Sequence, residues 1–339
     1  MKKLQLLQII LLVITLLISC NNNNNNNKDQ KDVKNNLIAK NVIAKYEFNI
    51  YPDIKDWVKT LNKKIIFTEI NKSLSQDIKT YDDNDSLMSV KLIEQNLGIF
   101  PDTQFIEQEN GELKTKIIKN KLDTNAIKTI YFCENWFYNS DNNIFKKDIN
   151  WYSPVRYYHK YDTLKFVKRW IFRIKNNDFN KKTSKQIAKN IIYEVDFDND
   201  TSTTIIDGLD KKQFVDILID NALSNKIKCF DSMLDKQLTT DEIKKELGYK
   251  IDTVFVEDPE TSELKSHITI TGIDRTEIKG LMFIENWYID TVSFCMQKQI
   301  LGMAPVRFKE KYYEDEDKPE ILKTIPFVIY FTNEKPKIF

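Results

Sequence analysis

The chain has 339 residues, which suffices for two cores of roughly 130 residues each. Hydrophobic residues make up 41% and aromatics 12%, as in folded protein, and 51 Lys and Arg nearly cancel 50 Asp and Glu. No net field therefore draws the chain to nucleic acid, and a partner has to be recognised by local surface. Seven glycines and two histidines leave little material for phosphate-cradling loops or zinc ligands, so neither a cofactor nor catalysis is expected.

The chain opens with Lys2-Lys3, an apolar run from Leu4 to Ser19, and Cys20. The run is short for a bilayer span, and a basic start before a short apolar stretch reads as a secretory signal over residues 1–19. Leu17-Ile18-Ser19-Cys20 resembles a bacterial lipobox, in which Cys20 becomes the lipidated first residue of the mature chain. Several acyl chains on one residue anchor firmly, since each buried methylene adds about 0.8 kcal/mol. The first expected partner is thus outer-membrane lipid, held through Cys20. The asparagine run and KDQKDVKNN that follow cannot bury enough apolar area to fold, so residues 20–45 are expected to form a flexible tether. No acidic cluster directly follows Cys20, which favours the periplasmic face.

Residues 46–176 form the first of two similar segments. Ile54, Trp57, Val58 and Leu61 fall at helical spacing, and Leu97-Gly98 marks a helix end suited to a left-handed glycine. FCENWFY at 132–138 is rich in strand formers, and Pro154-Val155-Arg156 follows. His159 lies in a run of tyrosines and charges with no acid or nucleophile beside it. Residues 177–209 read as a linker. Within it DFDNDTSTTIID places Asp196, Asp198, Asp200 and Asp207 at positions 1, 3, 5 and 12 of a calcium loop. Thr201 stands where the loop's turn needs glycine and Asp207 replaces the usual bidentate Glu, so a solvated acidic linker is the stronger reading.

Residues 210–339 form the second segment. Asp210 is placed to cap a helix with Phe214, Ile217, Leu218 and Asn221 along one stripe. Thr239 and Glu242 spell a capping box for a second helix ending at Leu247-Gly248. Leu264, Ser266, Ile268 and Ile270 alternate with Lys265, His267, Thr269 and Thr271, the period of a half-buried strand. FIENWYI at 283–289, FCMQKQILGMAPVRF and TIPFVIYF complete a sheet.

The two segments match in order: DTQFIEQENGELKTKI over DTVFVEDPETSELKSHI, Glu134-Asn135-Trp136 over Glu285-Asn286-Trp287, and Pro154-Val155-Arg156 over Pro305-Val306-Arg307. Upstream the first segment carries roughly a dozen extra polar residues around TYDDNDS, an insertion that exposed loops tolerate. The fold class expected is α+β, two tandem copies of a small domain, each with about two helices and an antiparallel sheet. In strand parity Glu285 and Trp287 share a face with Leu281 and Phe283, while Asn286 faces the other way. A carboxylate on an apolar face needs a partner, so Glu134 and Glu285 are read as paired structural or interface groups. Cys133, Cys229 and Cys295 are expected to be buried and unpaired, because their counterparts in the other segment are not cysteines.

The run IKGLMFIENWYIDTVSFCMQKQILGMAPVRF, the later IPFVIYFTNEKP and the helical FVDILIDNALSNKI resemble the GldN/PorN family of Bacteroidetes gliding and type IX secretion proteins. The positions that carry the resemblance are Glu285, Asn286, Trp287, Tyr288 and Asp290, then Gly302, Pro305 and Val306, then Phe327 to Phe331, within residues 210 to 335. The resemblance implies a noncatalytic periplasmic subunit that assembles with a lipoprotein partner into a ring beneath the outer membrane. In the family an ordinary signal peptide is the rule and attachment comes from the partner, whereas this chain supplies its own lipid at Cys20. The first segment is an addition, with Trp151-Tyr152-Ser153 where the second has Gly302-Met303-Ala304. The alternative is a ligand-binding lipoprotein that has reused the fold, with aromatics near Tyr157, Tyr158, Tyr312 and Tyr313. An assembly subunit should show apolar patches on repeated edges, and a binder one concave pocket with convergent polar groups.

Overall fold

The computed structural model describes residues 37–47, 63–107, 112–159, 166–197, 205–232, 236–257, 259–260, 263–311 and 319–332. The signal segment, Cys20, most of the expected tether and the helix expected from Ile54 to Leu61 lie outside them. The described residues form mostly antiparallel sheets with four α-helices, an α+β fold.

Residues up to 176 give β1 (Leu37–Glu47), α1 (Lys63–Leu74), α2 (Val90–Leu97), the hairpin β2 (Pro101–Glu107) with β3 (Leu113–Lys119), and the long strands β4 (Ile127–Asn139) and β5 (Ile144–His159), with β6 (Phe166–Trp170) and β7 (Ile174–Lys175). The remainder gives β8 (Ser184–Asp196), β9 (Ile205–Asp207), α3 (Lys211–Leu223), β10 (Cys229–Phe230), α4 (Thr240–Glu246), the hairpin β11 (Lys250–Glu257) with β12 (Leu264–Thr271), then β13 (Ile278–Asp290), β14 (Met296–Lys311), β15 (Glu320–Thr324) and β16 (Val328–Tyr330). One sheet runs β6-β5-β4-β1-β9 with β7 also on β5; the other runs β10-β16-β14-β13-β8 with β15 also on β14.

Two stretches differ from the sequence expectation. The segment read as a linker contains β8, which pairs with β13 along most of its length, and the last residues of the tether begin β1, which pairs with β4. Both are first strands, and Ile187-Ala188-Lys189-Asn190 on β8 repeats Ile38-Ala39-Lys40-Asn41 on β1. The helix that stands in the first half where α3 stands in the second is α1, with Ile66 and Ile70 buried as Val215 and Ile219 are. The bridge from Tyr81 to Leu87 likewise matches that from Phe230 to Gln237, so there is no room for the dozen extra residues expected around residues 80–86.

Local signals explain the helices. Asp210 accepts from the Gln213 amide to start α3, and Thr239 with Glu242 forms the capping box of α4. At the end of α2 the Gly98 amide donates to Gln95 and the Ile99 amide to Glu94, a left-handed closure with Gly98 at φ 74°. Here glycine is needed twice over, because a Cβ on Gly98 would sit 2.3 Å from the Arg156 guanidinium. Gly248 repeats the arrangement at φ 96°, with its Cβ position 2.3 Å from Arg307. Gly248→Ala is expected to lower stability by about 1–3 kcal/mol, through left-handed strain and displacement of Arg307, as read from denaturant midpoints.

Two main cores result, and neither belongs to one half alone. One gathers α3 and α4 with Ile278, Leu281 and Phe283, and it also takes in Trp136, Tyr138 and Phe145 from the first half. The other gathers α1 and α2 with Ile130 and Phe132, and it takes in Trp287, Ile289 and Met296 from the second half. Each half sends its tryptophan into the core around the other half's helices.

Candidate functional site

The strands β4 and β13 carry the repeated phrases, and both shift register at the same place, between Cys133 and Glu134 and between Ile284 and Glu285. The neighbouring first strands bulge beside them, with Asn41 and Asn190 both at φ 54°. Asn135 Oδ1 accepts from the Asn41 amide at 3.0 Å, and Asn286 Oδ1 accepts from the Asn190 amide at 3.0 Å. The motif asparagine therefore holds a left-handed residue in the adjacent strand, a conformation asparagine tolerates.

The motif glutamates face inward and are fully buried. Glu285 Oε2 accepts from its own Trp287 Nε1 at 2.7 Å, and Glu134 Oε2 from Trp136 Nε1 at 2.9 Å. Their other oxygens meet lysines of the opposite half. Lys147 Nζ donates to Glu285 Oε1 at 2.8 Å and to the Tyr193 hydroxyl oxygen at 2.7 Å, while Lys298 Nζ donates to Glu134 Oε1. The Tyr193 hydroxyl donates to Glu285 Oε1 at 2.9 Å. Each ammonium also rests on the other half's aromatic ring, Lys147 3.1 Å from the Phe283 centroid and Lys298 3.6 Å from that of Phe132.

The electrostatics follow from this packing. Burial alone would raise the Glu134 carboxyl, but the charges of Lys298 and Lys147 and the donated hydrogen bonds outweigh it and hold it below its ordinary value. Burial pushes Lys147 down to about 8 against the pull of Glu285 and Glu134. Burial also raises the Tyr193 hydroxyl well above the usual tyrosine range, with the glutamate charges adding to it. The glutamates and lysines are paired and buried, with Tyr193 partly exposed beside them, so the arrangement ties the two halves together.

The remaining singled-out residues fall outside this cluster. Pro154 and Pro305 are buried on β5 and β14, where each can omit an N–H from the ladder. Arg307 Nε donates to Glu277 at 2.6 Å and Nη1 to the Glu246 carbonyl at 3.1 Å, tying the strand to the end of α4. Gly302 pairs with Tyr330, and a Cβ there would sit 3.0 Å from the Ile329 carbonyl. At the matching place the first half reverses the sizes, with Trp151 opposite Lys175 and stacked near Arg173. Asp196 ends β8 and Asp207 ends β9, whereas Asp198 and Asp200 lie outside the described residues. Among the described residues no cluster of His, Cys, Asp and Glu could hold a metal ion. Cys133, Cys229 and Cys295 are buried and unpaired, and burial lifts the Cys229 thiol to about 12. His159 is exposed and packs on Phe166. Tyr157 and Tyr158 are half-buried on β5, and Tyr312 and Tyr313 lie outside the described residues.

Three surface features stand out among the described residues, the first a hollow of about 470 Å³ lined by Lys211, Lys212, Asp216 and Arg275 among others. A second hollow of about 740 Å³ lies between β5, β13 and β14, lined by Lys146, Lys181, Gln186, Tyr288, Gln297 and Gln299 among others. The two hairpins, β2–β3 and β11–β12, pair with no other strand among the described residues and lie open to solvent. The strand with Leu264, Ile268 and Ile270 is thus exposed on both faces, where the sequence alternation had predicted it half-buried.

The fold and its buried cross-half ion pairs define an α+β protein with two six-stranded sheets and two separate hairpins among the described residues. Residues 180–339 match the family described as gliding motility associated protein GldN. That family is a gliding-motility component and not a known enzyme family. No curated protein matches the chain.

Proposed function

We propose that the protein is a noncatalytic, lipid-anchored structural or assembly subunit of the gliding and type IX secretion apparatus, built from two tandem copies of the GldN-type domain. Cys20 carries the lipid, and the domains stand on the periplasmic face of the outer membrane. The tandem reading is supported by the matched element order, the equal backbone angles at Asn41 and Asn190, and the reciprocal pairs Lys147–Glu285 and Lys298–Glu134.

The observation that carries the assembly reading is the pair of open hairpins. Phe105, Leu113 and Ile117 on the first and Phe255, Leu264 and Ile268 on the second are each more than 60% exposed. Apolar side chains gathered at this exposure on a repeated element mark a protein contact. The test is crosslinked affinity purification of the tagged chain from solubilised outer membrane, with a Cys20→Ala control. Stoichiometric recovery of gliding and secretion ring proteins, reduced in the control, is the expected result. Recovery of the chain alone would remove the assembly reading.

A further inference from the structure

The larger hollow takes residues from both halves, and the register of the second sheet arranges one side of it. Gln186 on β8 and Gln297 on β14 both stand opposite Tyr288 on β13, so the three side chains form a row across neighbouring strands. Two residues along, Gln299 stands near Asn286. The Tyr288 hydroxyl donates to Gln299 Oε1 at 3.1 Å and Asn286 Nδ2 donates to the same oxygen at 3.4 Å, which leaves the Gln299 N–H donors for a ligand. Gln186 and Gln297 are exposed, and their side chains have no hydrogen-bond partner among the described residues. Three lysines line the hollow and none of the described residues lining it is acidic. Lys298 is committed to Glu134. Lys181 has no ion-pair partner among the described residues, and Lys146 holds Asp148 in a pair nearly half exposed on both sides, which yields readily to a competing anion.

The fold does not require this polar row. In the first half the same three places are Leu37, Phe137 and Lys146, again in register across β1, β4 and β5, with the Lys146 ammonium 5.8 Å from the Phe137 ring centroid. The sheet accepts an apolar row there, so the amides and the tyrosine hydroxyl of the second half add hydrogen-bonding capacity that packing leaves unused. We propose that this hollow binds an acidic oligosaccharide. A side-chain amide donates and accepts in one plane, which matches neighbouring sugar hydroxyls that each do both. The Tyr288 ring, Phe331 and the exposed Ile144 offer apolar surface to the C–H face of a pyranose. Lys146 and Lys181 meet a carboxylate or phosphate on the sugar through charge-assisted hydrogen bonds. The volume of about 740 Å³ lies within the ~300–1,000 Å³ of small-ligand sites, which suits a short oligosaccharide. An extended acidic peptide fits less well, because its backbone seeks an open strand edge, whereas this row presents side chains on a sheet face. The site does not depend on the assembly reading above.

The test is isothermal titration calorimetry on the full chain in detergent. The probes are trigalacturonate, which carries carboxylates, and trehalose phosphate, which carries a phosphate, with maltotriose as the neutral sugar and tetraglutamate as the acidic peptide. At least one acidic sugar is expected to bind saturably, about tenfold or more tighter than maltotriose and tetraglutamate, and to weaken as salt rises. Gln186→Leu with Tyr288→Phe installs the residues of the first half's row, so it should melt as the wild type does and bind that sugar about tenfold more weakly. Gln297→Ala, at an exposed place, repeats this test should the double variant melt lower. Lys146→Gln with Lys181→Gln should remove the preference over maltotriose. Failure of both acidic sugars to bind, tetraglutamate binding as tightly as they do, or undiminished affinity in the row variants would each overturn the proposal. Recovery of ring proteins in the purification above bears on the assembly reading alone, so the two can fail separately.

Discussion

Replacing Lys298 with Met is expected to destabilise the protein by about 3–5 kcal/mol, because it leaves the Glu134 carboxylate buried without its cation. Glu134 would keep only the Trp136 indole as a direct donor, with the weaker charge effect of Lys147 left to oppose burial. Lys147→Met should cost less, although the two lysines stand at matching places. Glu285 would still accept from Tyr193 and Trp287, and Lys298 lies 3.9 Å from its Oε2. Adding Glu134→Gln to Lys298→Met should return most of the loss, since the neutral amide oxygen still accepts from Trp136 and no uncompensated charge remains. Urea or guanidinium midpoints at an unchanged slope are the measurement. Equal costs for the two lysine replacements would contradict this accounting, and a changed slope would show that the halves separate before either unfolds.

How much of this was legible in the sequence depends on the kind of signal. The strands β4 and β13 and the helices α3 and α4 follow from local pattern and caps, and Asp210, Thr239 and Glu242 act where their spacing places them. The need of Glu134 and Glu285 for a partner was legible from a carboxylate on an apolar face. The partner was not, because Lys147 and Lys298 come from the opposite half and nothing local points across a fold. The signal that finds them is the repeat itself, since Lys147 and Lys298 occupy the same place in FKKDI and MQKQI. The repeated Ile-Ala-Lys-Asn that opens β1 and β8 is equally plain once seen, but in a chain rich in lysine and asparagine it carries little weight alone. The hairpins show a different limit. Period-two alternation says that one face of a strand is apolar, and it does not say whether the body that covers that face is in the same chain.

A second large effect is expected at Glu69, which stands on α1 at the place that Leu218 occupies on α3 and is fully buried. Its Oε1 lies 3.0 Å from the Tyr152 hydroxyl, which also lies 2.7 Å from the Phe294 carbonyl, and its Oε2 has no hydrogen-bond partner among the described residues. A hydroxyl has one proton, and the Phe294 carbonyl can only accept, so the consistent arrangement has Tyr152 donating to Phe294 and a protonated Glu69 donating to Tyr152. Burial agrees, lifting the Glu69 carboxyl from 4.5 to about 8 against the smaller effect of the Tyr152 hydrogen bond. The folded state thus binds a proton that the unfolded chain releases. This contribution to stability is complete below about pH 4.5 and is lost as pH rises toward 8, by on the order of 3 kcal/mol at pH 7. Glu69→Gln supplies the same donor without a titration, so it should be more stable than the wild type at pH 7 by up to that amount and should converge with it near pH 4.5. Unfolding free energies of both proteins between pH 4.5 and 8 are the measurement, and parallel profiles across that window would show that Glu69 is ionised in the folded protein.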